Sequence, residues 1–351
     1  MNSRSNPPLT RTILRTVALA AAVALSLTGC LPGENASSAD TTAGTTQGGT
    51  LNIDFATYNP LSLVIKDQGW LEEELATQDI TVNWVQSAGS NKANEALRAG
   101  AIDVGSTAGS AALLARSNGS PIKTIDIYSQ PEWSALVTSA GSGITSVEDL
   151  RGKSIAATKG TDPYFFLLQA LEAGGVDPSE VTVQNLQHAD GRAALASGAV
   201  DAWAGLDPIM AAAEQEGEVL FFRNIDFNTY GFLNATEDFL AERPDVAQTV
   251  VNAYEKARAW AQENPEETAA ILAEVAGIDP QVASTVIIDR TNLDVDPAPG
   301  DAQRSVLAKI GPVFVESGDV SSQDQVDEAL ATLFDDSLAK NADPAAIKAS
   351  S

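Results

Sequence analysis

The chain has 351 residues and a formal net charge of −26, with 47 acidic against 21 basic side chains. A protein this acidic should avoid nucleic acids and anionic membrane surfaces, because both carry charge of the same sign. Its length exceeds what one hydrophobic core comfortably organises, which predicts two lobes, and its single cysteine leaves no disulfide to support them.

The N-terminal segment has the pattern of an export signal. Three arginines precede an apolar run over residues 17–27, which is too short to span a bilayer. Small residues and Cys30 follow, as in a bacterial lipoprotein signal, where the cysteine becomes the lipidated N-terminus. The alternative is that this cysteine is a small buried side chain. We predict a signal peptide over residues 1–29, lipidation at Cys30, and a protein held at the outer face of the cell membrane or in the periplasm.

Residues 30–49 are predicted to form a flexible tether. After the cysteine they are rich in Ser, Thr, Gly and Ala and contain almost no large apolar side chains. A random coil of this length reaches roughly 25 Å. Such a segment suits a folded body that is held close to a membrane.

Strand and helix patterns then alternate twice along the chain. Period-2 hydrophobicity predicts strands, and apolar runs that end in glycine predict helices. In the first unit the predicted strands lie at 51–56, 80–86 and 101–104, with helices beginning at 60 and 91. In the second unit the predicted strands lie at 153–158, 181–187 and 199–202, with helices beginning at 164 and 190.

The two units carry the same motif. Ala-Leu-Arg-Ala-Gly-Ala-Ile-Asp occupies residues 96–103, and Ala-Leu-Ala-Ser-Gly-Ala-Val-Asp occupies residues 194–201, at an offset of 98. One α/β unit built twice can place two similar lobes face to face across a cleft. We therefore predict an α/β protein of two lobes, each with a mainly parallel sheet flanked by helices.

Two further strands, over residues 135–138 and 229–234, are predicted to carry the chain between the lobes. The helical remainder should return to the first lobe. The predicted boundaries are lobe 1 at 50–137 and 230–335, lobe 2 at 138–229, and a tail at 336–351.

Four turns that follow strands are the predicted ligand-binding elements, at residues 57–61, 105–110, 159–164 and 203–208. Ligands of open α/β sheets bind at the carboxyl ends of strands, and the helix after each turn points free N–H groups at an anion. Small hydroxylated residues add donors, and aromatic rings can cover an organic body. The pattern predicts a small organic anion as ligand. The candidate residues are Tyr58, Asn59, Ser106, Thr107, Ser110, Gly160, Thr161, Asp162, Tyr164, Trp203 and Asp207.

Several of these candidates have an equally good structural explanation. Asn59, Asp162 and Asp207 each precede a proline at a predicted helix start, so they can serve as N-caps. Trp203 can belong to the core. For Asp207 a third option is to pair with the cationic group of a zwitterionic ligand.

Catalytic chemistry is not indicated by the sequence. His188 is the single histidine, and a loop position is its ordinary explanation. The chain has no Cys/His metal cluster, no glycine pattern for phosphates or dinucleotides, and no serine nucleophile elbow. We expect no enzyme activity, no metal and no cofactor.

Five short motifs carry a family resemblance: YNPLSL at 58–63, GSTAGS at 105–110, DLRGK at 149–153, KGTD at 159–162 and VDAW at 200–203. They resemble the aliphatic sulfonate and taurine binding proteins of ABC importers, within a wider group of nitrate and thiamine-precursor binders. The resemblance covers roughly residues 50–335. It implies a periplasmic-binding-protein fold with two crossover strands and a cleft that Trp133 helps to line. It also implies a monomer that docks on a membrane permease driven by an ATPase.

Other functions stay open at this point. The same fold can receive a different small solute, such as nitrate or a thiamine or pyrimidine precursor. A thiamine-precursor synthesis enzyme would need a reactive residue in the cleft, and His188 is the candidate that the chain offers. A structural or signalling lipoprotein without a ligand would have a closed, dry cleft without polar lining.

Overall fold

A computed structural model describes residues 48–348. The predicted signal peptide, Cys30 and nearly all of the predicted tether lie outside these residues. The first strand begins at Gly49, the last residue assigned to the tether, because this residue already pairs with Ile80 of the neighbouring strand. None of the helices between residues 48 and 348 is long and apolar enough to cross a membrane.

The strands and helices alternate through most of the described range. The strands are β1 (Gly49–Phe55), β2 (Ile80–Gln86), β3 (Val104–Ala108), β4 (Ile122–Pro131), β5 (Ser134–Thr138), β6 (Ser154–Ala157), β7 (Thr182–Asn185), β8 (Ala202–Leu206), β9 (Val219–Phe222), β10 (Gly231–Thr236) and β11 (Thr291–Asn292). The helices are α1 (Pro60–Gln68), α2 (Trp70–Ala76), α3 (Ser90–Arg98), α4 (Gly109–Ser117), α5 (Asp162–Ala173), α6 (His188–Ala196), α7 (Ile209–Gln215), α8 (Glu237–Glu242), α9 (Pro244–Glu263), α10 (Pro265–Ala276), α11 (Pro280–Ser284), α12 (Asp301–Glu316), α13 (Gln323–Thr332) and α14 (Ser337–Lys340).

Within residues 48–348 the strands form two sheets, one in each lobe. The first has six strands in the order β11-β4-β10-β3-β1-β2, and the second has five in the order β7-β6-β8-β5-β9. The duplicated unit is visible in both, since β3 and α3 match β8 and α6 at the 98-residue offset. This is the two-lobed α/β architecture that the sequence predicts.

Both sheets are mixed, which differs from the mainly parallel sheets expected. The strands of each duplicated unit pair in parallel, as β2-β1-β3 and as β7-β6-β8. The next strand in each sheet is antiparallel, with β10 beside β3 and β5 beside β8. The reversal arises because β5 and β10 come directly from the other lobe, without the helical crossover that keeps strands parallel.

The first boundary between the lobes lies closer to the N-terminus than the predicted residue 137. The strand β5 pairs with β8 and β9 along its whole length, so it belongs to the second sheet. All five of its residues are buried, because Leu136 and Val137 fill the core of that lobe from opposite faces of the strand. The first crossing therefore lies between Pro131 and Ser134, and the second lies between β9 and β10.

The predicted tail is attached to lobe 1 as far as the description reaches. The helix α14 packs against α9 and β4, and Ala339 and Ile347 are buried in the core of the first lobe. The Lys256 ammonium also donates to the carbonyl of Ile347 at 2.9 Å. Apolar side chains at these two positions make residues 336–348 part of the folded body.

One hydrophobic cluster joins the lobes. It contains Leu113 from α4, Phe165 from α5 and Phe314 from α12. The rings of Phe165 and Phe314 lie 4.6 Å apart and are both fully buried. Because α5 belongs to the second lobe while α4 belongs to the first, apolar burial holds the two lobes together at this edge.

Gly231 is closely packed at the second crossing between the lobes. A methyl group on its Cα would lie 2.2 Å from Cε2 of the buried Tyr128 ring, so we expect Gly231→Ala to lower the free energy of unfolding by about 1–3 kcal/mol. Urea denaturation followed by circular dichroism measures this. Gly300→Ala is the control, since its methyl would have its nearest neighbour at 3.7 Å. Equal unfolding midpoints for the two variants would contradict the close packing.

Candidate functional site

Among the described residues, two small cavities lie where the two lobes face each other. The Arg290 cavity, lined by Tyr58, Trp133, Asp207, Arg290 and six further residues, has a free volume of about 10 Å³. The Asp162 cavity, lined by Tyr58, Ser90, Trp133, Thr161, Asp162 and three further residues, also has about 10 Å³, so each has room for about one water molecule. Tyr58 and Trp133 border both, and their rings meet edge to face with centroids 6.1 Å apart. Residues from all four predicted turns thus meet around these two rings.

Tyr58 is fixed from the first lobe. Its hydroxyl donates to the Ser106 carbonyl at 3.0 Å, and burial raises its pKa well above the usual value, so the phenol stays neutral. Ser106 in turn donates to Asp54 through its hydroxyl at 2.8 Å and its backbone N–H at 2.9 Å. Burial raises the pKa of Asp54 to about 6. Ser106 therefore acts behind the cavity wall, as a support for Tyr58.

Thr107 and Ser106 do not lie in a turn. The strand β3 continues to Ala108, because β10 pairs with it along its full length, and α4 begins at the next residue. Thr107 accepts a hydrogen bond from the Asn234 amide at 2.8 Å, within the sheet. Neither residue lines a cavity, so the expected direct contacts of these two hydroxyls with a ligand have no support in the geometry.

Asn59 caps the N-terminus of α1, which was the alternative to a direct contact with the ligand. Its Oδ1 accepts from the Ser62 N–H at 3.2 Å, and its amide donates to the Tyr254 hydroxyl at 3.1 Å. The side chain is fully buried, with both ends used by the protein. It fixes the start of α1 directly after Tyr58.

Asp162 is the most heavily bonded of the candidates. Its Oδ1 accepts from the Ser110 hydroxyl at 2.5 Å and the Thr229 hydroxyl at 2.7 Å. Its Oδ2 accepts from the Trp133 indole at 2.8 Å and the Thr229 N–H at 2.7 Å. Burial raises the pKa of Asp162, and these hydrogen bonds oppose the shift. The carboxylate therefore joins both lobes, and it uses Ser110 and Trp133 in doing so.

Asp207 pairs with a cation from the chain itself. The Arg290 guanidinium donates to both of its oxygens at 3.2 Å and also contacts Glu214 of α7. The carboxylate caps α7 as well, by accepting from the Ala211 N–H at 2.9 Å. Burial raises the pKa of Asp207 to about 6, although Arg290 opposes the shift. Because Arg290 precedes β11 of the first sheet, this ion pair bridges the lobes.

Of the four remaining candidates, Thr161 lines the Asp162 cavity, whereas Gly160, Tyr164 and Trp203 line neither cavity. Trp203 is fully buried in the core of lobe 2, under the backbone of Gly191, as its alternative explanation required. Tyr164 faces an open groove between α5 and the end of α12, where Lys159 lies over its ring. Gly160 has φ +76°, and a side chain there would approach Asn91 of the first lobe at 3.6 Å. Gly160 is therefore a point of close approach between the lobes.

His188 is the first residue of α6 and meets Gly89, the residue before α3. A methyl on Gly89 would lie 3.0 Å from Nε2 of this imidazole. The other ring nitrogen contacts the Thr158 hydroxyl at 3.2 Å, and burial lowers the pKa of His188 to about 4. The duplicated helices thus begin against each other, with a neutral imidazole packed on a glycine.

Two important residues escaped the sequence analysis. Arg290 lies between Asp289 and Thr291, directly before β11, so no local sequence pattern marks it as a site residue. Thr229 was assigned to a crossing strand without a role, because its partner Asp162 is 67 residues away. No group of His, Cys, Asp and Glu side chains suited to a metal ion occurs among residues 48–348.

The buried His188 predicts a pH dependence of stability. Its folded pKa of about 4 lies below the unfolded value of 6.5, so the unfolded chain takes up a proton that the folded protein refuses. Between pH 6.5 and 4 the wild type should therefore lose roughly 3 kcal/mol of unfolding free energy relative to His188→Gln. Denaturant titrations at pH 7.5 and pH 4 measure the difference. Parallel pH profiles for the two proteins would contradict the buried neutral imidazole.

Known proteins resemble this chain in sequence. It is 29% identical over 219 residues to a putative aliphatic sulfonates-binding protein of Escherichia coli K12, a match that covers 62% of this chain and 69% of the relative. It is 28% identical over 229 residues to the protein of the same description in Bacillus subtilis 168, with 64% and 69% covered.

The fold is also that of a known structure. The alkanesulfonate-binding protein SsuA from Xanthomonas axonopodis pv. citri, solved with MOPS bound, superimposes with a TM-score of 0.72 at 23% identity. The match covers 81% of this chain and 98% of that protein. The family model described as "NMT1/THI5 like" matches residues 61–268, more than half of the sequence. The chain therefore belongs to the NMT1/THI5-like family and has the two-lobed periplasmic-binding-protein fold.

Proposed function

We propose that this protein is the solute-binding lipoprotein of an ABC import system, which captures a small aliphatic sulfonate or taurine between its lobes and delivers it to a permease. The observation that carries the proposal is the set of side chains from both lobes that meets around Tyr58 and Trp133, at two narrow cavities that separation of the lobes would open. The names of the sequence relatives support the ligand class.

The Arg290 cavity has the chemistry for an anionic head group. Arg290 is 7% exposed and lines this cavity together with Tyr58 and Trp133. An entering sulfonate can exchange with Asp207 or Glu214 as a partner of Arg290, since guanidinium groups bind oxyanions through paired N–H groups. Asp207, once released, faces the end of the ligand where taurine carries its ammonium group.

A receptor role accounts for the buried groups better than an enzyme role. The one histidine is buried against Gly89 and lines neither cavity. The named sequence relatives are binding proteins. A receptor of the same fold for another small solute is the second candidate, because a nitrate-binding protein shares the fold with a TM-score of 0.70.

Isothermal titration calorimetry of the purified protein with taurine, methanesulfonate, longer alkanesulfonates, nitrate and pyrimidine precursors tests the ligand class. Thr57→Trp should weaken binding of the preferred solute at least about tenfold, because the indole would obstruct the half-exposed edge of the Arg290 cavity that Thr57 forms. Thr77→Trp, at the exposed end of α2, is the control and should bind as the wild type does. If the protein bound only a solute without a sulfonate group, the sulfonate class would be refuted. The proposal that the protein is a solute receptor would still stand.

The lipid anchor has its own test. Cys30→Ser should abolish incorporation of radiolabelled palmitate and shift the protein from the membrane fraction to the soluble exported fraction, because the thiol is the acceptor of the lipid. Cells that express the full chain and the variant at equal levels provide the comparison. Equal labelling of the two proteins would contradict lipidation at this residue.

A further inference from the structure

Asp162 occupies a site built from donors that the rest of the chain supplies. The carboxyl group is 2% exposed and, among the described residues, accepts four hydrogen bonds of 2.5 to 2.8 Å. Ser110 comes from the first lobe, while Trp133 and Thr229 come from the two segments that cross between the lobes. Asp162 itself begins α5 of the second lobe. The site therefore exists in full only when all of these segments are together.

The donor set is that of an anion site. The indole N–H and the backbone N–H of Thr229 can only donate, so both require an acceptor. The two hydroxyls complete the four acceptor positions of a carboxylate, which leaves none of these positions open. No positively charged side chain is hydrogen-bonded to Asp162 in the described part of the chain. Neutral, fixed donors around a buried negative charge are how proteins hold small oxyanions.

We propose that Asp162 acts as a resident anion: its carboxylate fills an oxyanion site at the lobe junction, holds the lobes together without solute, and denies that site to simple anions. The donors of Ser110, Trp133 and Thr229 are then not available to the head group of a solute. A solute must place its anionic end in the neighbouring Arg290 cavity instead. The site has the chemistry to bind formate once the native carboxylate is removed.

Closure depends on this contact for a geometric reason. Ser110 lies at the start of α4 and Asp162 at the start of α5, so their 2.5 Å hydrogen bond is broken as soon as the lobes separate. The partners in the crossing segments remain, because Thr229 and Trp133 lie at the hinge. The negative charge thus prefers the closed form, where it has four donors, over the open form, where it loses the donor from the first lobe.

Chemical rescue of Asp162→Ala by small anions tests the proposal without any physiological solute. In the full chain the variant should be less compact than the wild type by small-angle X-ray scattering, and its melting temperature should be lower. Formate should restore both properties in a saturable manner. It should bind the variant at least about tenfold more tightly than it binds the wild type, since it meets four unpaired donors and no resident carboxylate.

The controls separate a local anion site from a general salt effect. Asp177→Ala removes a carboxylate that caps an exposed turn, so formate should leave its melting temperature and compactness unchanged. Formate should also fail to rescue Asp162→Ala once Thr229→Val and Ser110→Ala remove two of the donors. If Asp162→Ala does not fold, Asp162→Asn keeps the shape and removes the charge, and it should be less compact than the wild type without solute.

Two results would overturn the proposal. One is an Asp162→Ala protein as compact as the wild type whose melting temperature does not respond to formate. The other is an Asp162→Asn protein with wild-type compactness in the absence of solute. Neither result depends on whether the physiological solute is a sulfonate, so failure here is distinguishable from failure of the proposed function.

Discussion

The helix α5 is the element on which the closed arrangement depends, because it supplies both a polar and an apolar contact between the lobes. Its first residue, Asp162, takes donors from the first lobe and from both crossing segments. Three residues later, Phe165 stacks against Phe314 of α12. The carboxylate sets where the lobes meet, since hydrogen bonds are directional, and the aromatic packing supplies the area that makes the contact stable.

The sequence was informative where local patterns decide the outcome. The duplicated motif placed β3 with β8 and α3 with α6 at equal spacing, because strand alternation and glycine stops are local properties. The partners of Asp162 could not be anticipated, since they stand 52, 29 and 67 residues away and come together only in the folded protein. The prediction of mainly parallel sheets was wrong for a related reason. The sequences of β5 and β10 are those of ordinary strands, and their antiparallel direction follows only from the path of the chain between the lobes.

Two buried carboxylates, Asp162 and Asp207, lie where the lobes meet. Asp162 is held by neutral donors, whereas Asp207 is held by Arg290, so the two carboxylates are stabilised in different ways. A guanidinium that is already paired with a carboxylate can pair with an anionic ligand instead, because one oxyanion then replaces another. Neutral donors around a fixed carboxylate offer no such exchange. The division suggests why an anionic ligand would favour one cavity over its neighbour, although both share Tyr58 and Trp133.

The contact between Gly89 and His188 has a consequence for the width of the space between the lobes. The imidazole stops against a backbone that carries no side chain, and one added methyl would stand 3.0 Å from its Nε2. The closest approach of α3 and α6 is therefore set by the absence of a side chain at Gly89 and by the imidazole ring of His188. Substitutions at Gly89 or His188 would change the distance between the two helices. They would thereby change the space available to a solute without altering any residue that lines the cavities.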